Sequence, residues 1–123
     1  MTDKIVILVT CKSVVEGKQI ARALVEERLA ACVNILEAPV RSIYRWKGEI
    51  ESAAEYLLLI KSAMPLFRRV RRRVQELHSY EAPEIIALPI VKGSRAYLAW
   101  LRANLRDVSI PPQKSSRKNS GNR

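Results

Sequence analysis

Apolar positions along this chain change period several times, and each change marks an element. Lys4 to Thr10 is a breaker-free, β-branched, apolar run, the pattern of a buried strand. Ser13 and Glu16 then stand at capping-box spacing and open a helix predicted to reach about Leu29. Its apolar face is Ile20, Ala21, Leu24 and Val25, and Lys18, Arg22, Glu26 and Glu27 face water. Ala31 to Leu36 reads as a second strand, interrupted at Pro39. Val40 to Lys47 alternates, with Val40, Ser42, Tyr44 and Trp46 on one side and Arg41, Ile43, Arg45 and Lys47 on the other. Lys47-Gly48 is a hairpin signal. The return strand, from about Glu49 to Lys61, is polar in its first half and apolar on both faces in its second, Tyr56 to Ile60. Such a strand leaves its sheet at the polar end and enters the core at the other.

Pro65 suits the first turn of a second helix, in which Phe67, Val70, Val74 and Leu77 form a helical stripe. Glu84 to Val91 is a further strand, placed at an edge or bulge by Pro89. Gly93 turns the chain, and Ser94 caps a last helix from Arg95 to about Leu105. The order β-α-β-β-α-β-α predicts an α+β fold of ferredoxin-like βαββαβ type, an antiparallel sheet with two helices on one face and an extra C-terminal helix. Strands apolar on both sides require both faces covered. The last helix covers part of the open face at most, so a second subunit is the economical cover.

Composition narrows the class. The 123 residues suit one domain, here residues 1–107, followed by a Ser-, Pro-, Lys- and Arg-rich stretch, 108–123, that reads as a disordered basic tail. No apolar run approaches the roughly 20 residues of a membrane span, and Ile5 to Val9 is too short for a secretory core. Cys11 and Cys32 match no CxxC motif and read as free thiols, which points to a reducing compartment and a cytoplasmic protein. Of the formal charge of +10, the tail holds four units. Five arginines, Arg68, Arg69, Arg71, Arg72 and Arg73, concentrate much of the rest on one helix face.

The densest chemistry lies at His78-Ser79-Tyr80-Glu81-Ala82-Pro83-Glu84, which holds the only histidine. No nucleophile elbow and no Gly-rich phosphate loop accompany it, so catalysis and nucleotide chemistry lack their usual residues. His78, Glu81 and Glu84, with Cys11 if the first strand ends nearby, form a donor set suited to copper or zinc. The alternative is structural: a histidine ending a helix satisfies free carbonyls, and a Tyr and Glu beside a proline turn bond their own backbone. The arginine face is able to hold phosphate non-specifically or to stand solvated. The aromatics Tyr44, Trp46, Tyr97 and Trp100 lie off the central strands, unlike an RNA-recognition sheet, so no specific nucleic acid is expected. Tyr44 and Trp46 read as subunit-contact residues.

Four separated motifs resemble the CutA family of divalent-cation tolerance proteins: Leu29 to Ile35, Ser42 to Ile50 with Glu55 and Lys61, His78 to Ile85, and Tyr97 to Trp100. The resemblance covers about residues 5 to 105. It implies a ferredoxin-like fold, a tight homotrimer, and an association with copper and other divalent cations without an established enzymatic reaction or an essential cofactor. It implies His78 and Glu84 as metal ligands. The family's cysteine precedes a strand-ending threonine; here Val9 holds that place and Cys11 follows Thr10. The resemblance further implies that Tyr44, Trp46, Lys61, Tyr80 and Glu84 line a cleft between subunits. The reading is thus a trimeric, non-catalytic protein that binds divalent metal. The alternative is a trimeric structural or signalling module whose clefts hold a partner or small ligand.

Overall fold

The structure, a computed structural model, describes residues 2–107. The basic tail expected at 108–123 lies outside the described residues. Five strands and three helices follow the order β1 (Lys4–Cys11), α1 (Val14–Glu26), β2 (Cys32–Ile35), β3 (Val40–Trp46), β4 (Glu49–Ala63), α2 (Phe67–Leu77), β5 (Ile85–Pro89) and α3 (Arg95–Ala103). A 3-10 turn, Met64–Leu66, carries Pro65 into α2. There is one strand more than the order β-α-β-β-α-β-α anticipates. The interruption at Pro39 divides what precedes the hairpin into β2 and β3, both antiparallel to β4.

The sheet order is β2-β4-β1-β5, and every pairing is antiparallel. β4 spans two environments. Its second half pairs with β1 from Tyr56 to Ala63 and with β2 from Leu58 to Lys61. Its first half pairs only with β3, Trp46 opposite Glu49 through Val40 opposite Glu55. The polar half therefore forms a two-stranded arm and the apolar half a central strand, as the change of pattern along the sequence requires. Lys47 and Gly48 close the arm with φ of 50° and 85°, the doubly positive pair of a type I′ turn. Pro89 ends β5, an edge strand, where a missing N–H costs no ladder bond.

One face of the sheet is the core. Ile5, Ile7, Val9 and Cys11 of β1 and Leu58 and Ile60 of β4 are buried with Ile20 and Leu24 of α1 and Val70 and Val74 of α2. Gly17 lets α1 approach this closely. A Cβ there would stand 3.1 Å from Leu58 Cδ2 and 3.2 Å from Cys11 Sγ. The opposite face carries Val6, Leu8, Leu57 and Leu59, half-buried, and Ile86 and Leu88, which are 49% and 48% exposed. α3 brings Tyr97 to this side, its ring 6.0 Å from Lys61 Nζ.

α1 stops at Glu26 rather than near Leu29. Arg28 adopts a left-handed φ of 59°, and the Leu29 N–H bonds back to the Leu24 carbonyl at 2.9 Å. This is the helix-ending geometry that usually recruits glycine. β5 is likewise shorter than the expected Glu84 to Val91: its ladder with β1 runs from Ile85 to Pro89, followed by one further bond from the Ile90 N–H to the Lys4 carbonyl at 3.0 Å.

Candidate functional site

The C-terminus of α2 delivers His78 between the ends of β1 and α1. Its φ and ψ of −83° and 144° leave the helix, and the ring turns inward, 9% exposed. Nε2 lies 2.7 Å from the Thr10 carbonyl, and Nδ1 accepts the Tyr80 N–H at 3.0 Å. These partners fix the tautomer: Nδ1 must be unprotonated to accept, so Nε2 carries the proton and donates. Both ring nitrogens are committed.

Glu16 completes the junction. Ser13 Oγ accepts the Glu16 N–H at 3.1 Å, as an N-cap should. The Glu16 carboxylate does not return to Ser13. It accepts the Lys12 N–H at 3.3 Å with one oxygen and the Ser79 N–H at 2.9 Å with the other. A capping residue thus ties α1 to the turn after α2. Burial opposes the Glu16 charge, but hydrogen bonds from Ser79 and Lys12 more than reverse this and hold its carboxyl below the usual 4.5.

Tyr80 rests against the His78 ring, centroids 4.7 Å apart. Burial, followed by hydrogen bonding to the Glu55 carboxylate, pushes its phenol well above the usual range. Glu55, 7% exposed, sits where β4 passes from arm to sheet. Beside this pair opens a cleft of about 590 Å³, lined by Thr10, Tyr44, Trp46, Glu55, Tyr80, Glu81 and Glu84 among others. Four of the expected cleft and ligand residues, Tyr44, Trp46, Tyr80 and Glu84, therefore meet. Lys61 does not line the cleft; it donates to Asn34 Oδ1 at 2.7 Å.

The expected metal donors do not assemble. Among the described residues no three His, Cys, Asp or Glu side chains form a group able to hold an ion. Cys11 is fully buried, with its Sγ 3.5 Å from the Ser13 carbonyl and 3.6 Å from that of Tyr56. Burial, aided by Glu16, pushes its thiol up to about 11. A metal would have to displace the thiol proton to take the thiolate. Glu81 and Glu84 are the exposed carboxylates at the cleft.

Glu16, Glu55 and Thr10 were legible only as a cap, a motif residue and a strand end, with no place at the site. Glu16 was visible as a cap but not as a bridge, because its partner Ser79 is 63 positions away. Thr10 acts through its carbonyl, which no side-chain pattern signals.

Comparison with known proteins places this arrangement. The pattern of the CutA1 divalent ion tolerance protein family matches residues 5–104. The divalent-cation tolerance protein CutA of Thermus thermophilus is 52% identical over 99 residues, 80% of this chain and 95% of that protein. Human protein CutA is 46% identical over 101 residues, 82% of this chain, which spans only 56% of its length. A solved structure of the divalent cation tolerance protein of Thermus thermophilus superposes with a TM-score of 0.81 at 50% identity, covering 84% of this chain and 99% of that one.

Proposed function

The chain belongs to the CutA1 divalent ion tolerance family, and from that premise we propose that it is a homotrimeric, ferredoxin-like divalent-cation tolerance protein. In this reading it binds ions such as copper in clefts shared between subunits and has no catalytic activity. The observation that carries the proposal is the cleft itself. Tyr44, Trp46, Tyr80 and Glu84 converge on it beside the arm that β3 and β4 extend beyond the sheet.

Glu84 and Glu81 are the donors best placed for a cation, being exposed carboxylates at the mouth. Two oxygen donors do not complete a copper or zinc shell, so the remaining ligands come from solvent or from a neighbouring subunit. His78 supports the wall of the cleft and gives up a nitrogen only by losing its bond to Thr10 or to Tyr80. The strand order β2-β4-β1-β5 with α1 and α2 on one face supports the ferredoxin-like, split-βαβ reading, and the half-exposed second face favours an assembly. Two free thiols fit a reducing compartment such as the cytoplasm.

Copper titration by calorimetry tests the cleft. Glu84→Gln is expected to weaken binding at least about tenfold, the loss that removing even a partner of a metal ligand brings, whereas Cys11→Ala leaves the affinity in place. Wild-type affinity in Glu84→Gln, or its loss in Cys11→Ala, would remove the assignment. Unchanged copper binding in both would favour the structural or signalling reading of the cleft.

A further inference from the structure

Two of the five arginines on α2, Arg68 and Arg72, stand where helix energetics disfavour them. Arg68 occupies the first turn, which holds no acidic residue and whose N-cap, Leu66, makes no side-chain cap. Cations there oppose the helix dipole. Arg68 and Arg72 are a like-charged i, i+4 pair on one exposed face, an unfavourable spacing. Arg73 is accounted for: it forms two bonds to Glu27, at 3.0 and 3.1 Å, and one to Glu76 at 3.3 Å. Arg71 bonds only the neutral Gln75, at 3.3 Å. Arg68 and Arg72 have no partner among the described residues. A local arrangement that weakens its own helix without internal compensation is the mark of a surface kept for an external ligand.

We infer that the Arg68–Arg72 face of α2 docks the phosphate backbone of double-stranded nucleic acid without reading its sequence. The chemistry selects this occupant. Guanidinium forks match phosphate oxygens bidentately. A helix that beds into a lipid surface presents apolar side chains outward, but Val70 and Val74 are fully buried here, and Phe67 and Leu77 pack on the core. Single strands are gripped by stacking on aromatics, and α2 has none besides the core-packed Phe67. What remains on the surface is charge at one-turn spacing, suited to a backbone and to nothing with a specific edge.

Fluorescence anisotropy of a short labelled DNA duplex, with the full chain titrated from about 50 to 200 mM salt, tests this. Binding is expected to weaken steeply with salt. Arg68→Gln with Arg72→Gln should reduce the log–log salt slope by about 1.8 per engaged chain, two phosphates at about 0.9 each. Both positions are exposed, so an unchanged far-UV spectrum confirms that the variant is folded. A second variant, Lys114→Gln, Arg117→Gln and Lys118→Gln, keeps the arginine face and should retain that part of the slope. No anisotropy change at the lowest salt would overturn the inference. So would an unaltered slope in the α2 variant with loss of binding in the tail variant. Arginine-dependent binding to phosphatidylglycerol vesicles but not to the duplex would overturn it in favour of a membrane surface.

Discussion

Glu16 decides more at the residue scale than its place in a capping box suggests. It is 7% exposed and joins the N-terminus of α1 to the turn carrying His78 and Tyr80. Because its carboxyl is held below 4.5 in the folded chain, its contribution is fully present above that value and is lost as pH falls through the lowered one. Glu16→Gln is expected to destabilise the protein by about 1.5–3 kcal/mol at neutral pH, the range for hydrogen bonds to a charged group. Urea unfolding should show this difference shrinking as pH falls below 4.5; an equal difference at neutral and acid pH would remove the charge from the explanation. His78 was legible as the centre of the chemistry because it is the only histidine in a turn rich in donors. Its commitment to Thr10 and Tyr80 was not. That follows from β1 ending beside α2, a contact 68 positions apart in sequence.

Helix ends and turns set the next scale, and there local chemistry was read well where one residue type carries the geometry. Lys47-Gly48 announced a type I′ hairpin, and the φ values agree. The end of α1 was overrun by three residues because Arg28 stands where glycine would have signalled the stop. A non-glycine residue in the left-handed region carries roughly 1–2 kcal/mol of strain. Arg28→Gly should therefore stabilise the protein by about 0.5–1 kcal/mol, after allowance for the greater freedom glycine gives the unfolded chain. The Arg28 carbonyl, which accepts the Arg106 N–H at 2.9 Å, is retained by the substitution. Urea denaturation would read the gain as a higher midpoint at constant slope, and a lower midpoint would show that the Arg28 side chain does more than occupy the turn.

For the molecule as a whole, the arm formed by β3 and the first half of β4 demands explanation. An isolated two-stranded ribbon is marginal in water, yet this one carries Ile43 and Ile50 at 70% and 63% exposure. Its register sorts the side chains. Arg41, Ile43 and Arg45 face the same way as Ile50, Ser52 and Ala54, while Tyr44 and Trp46 share the other side with Glu49, Glu51 and Glu55. One side is aliphatic and basic, the other aromatic and acidic. Two unlike but complementary patches favour a heterologous contact, in which the basic side of one arm meets the acidic side of the next and a ring forms where the rotation closes. This complementarity is the physical support for the proposed trimer. Ile43→Glu with Ile50→Glu puts like charge and lost apolar area into that contact without touching the core of the subunit. Light scattering after size exclusion should find the wild type at three times the subunit mass and the variant at one, with copper affinity falling alongside if neighbouring subunits complete the cleft. A variant that remains trimeric would move the interface away from the arm, to the half-exposed strip at Ile86 and Leu88 on β5.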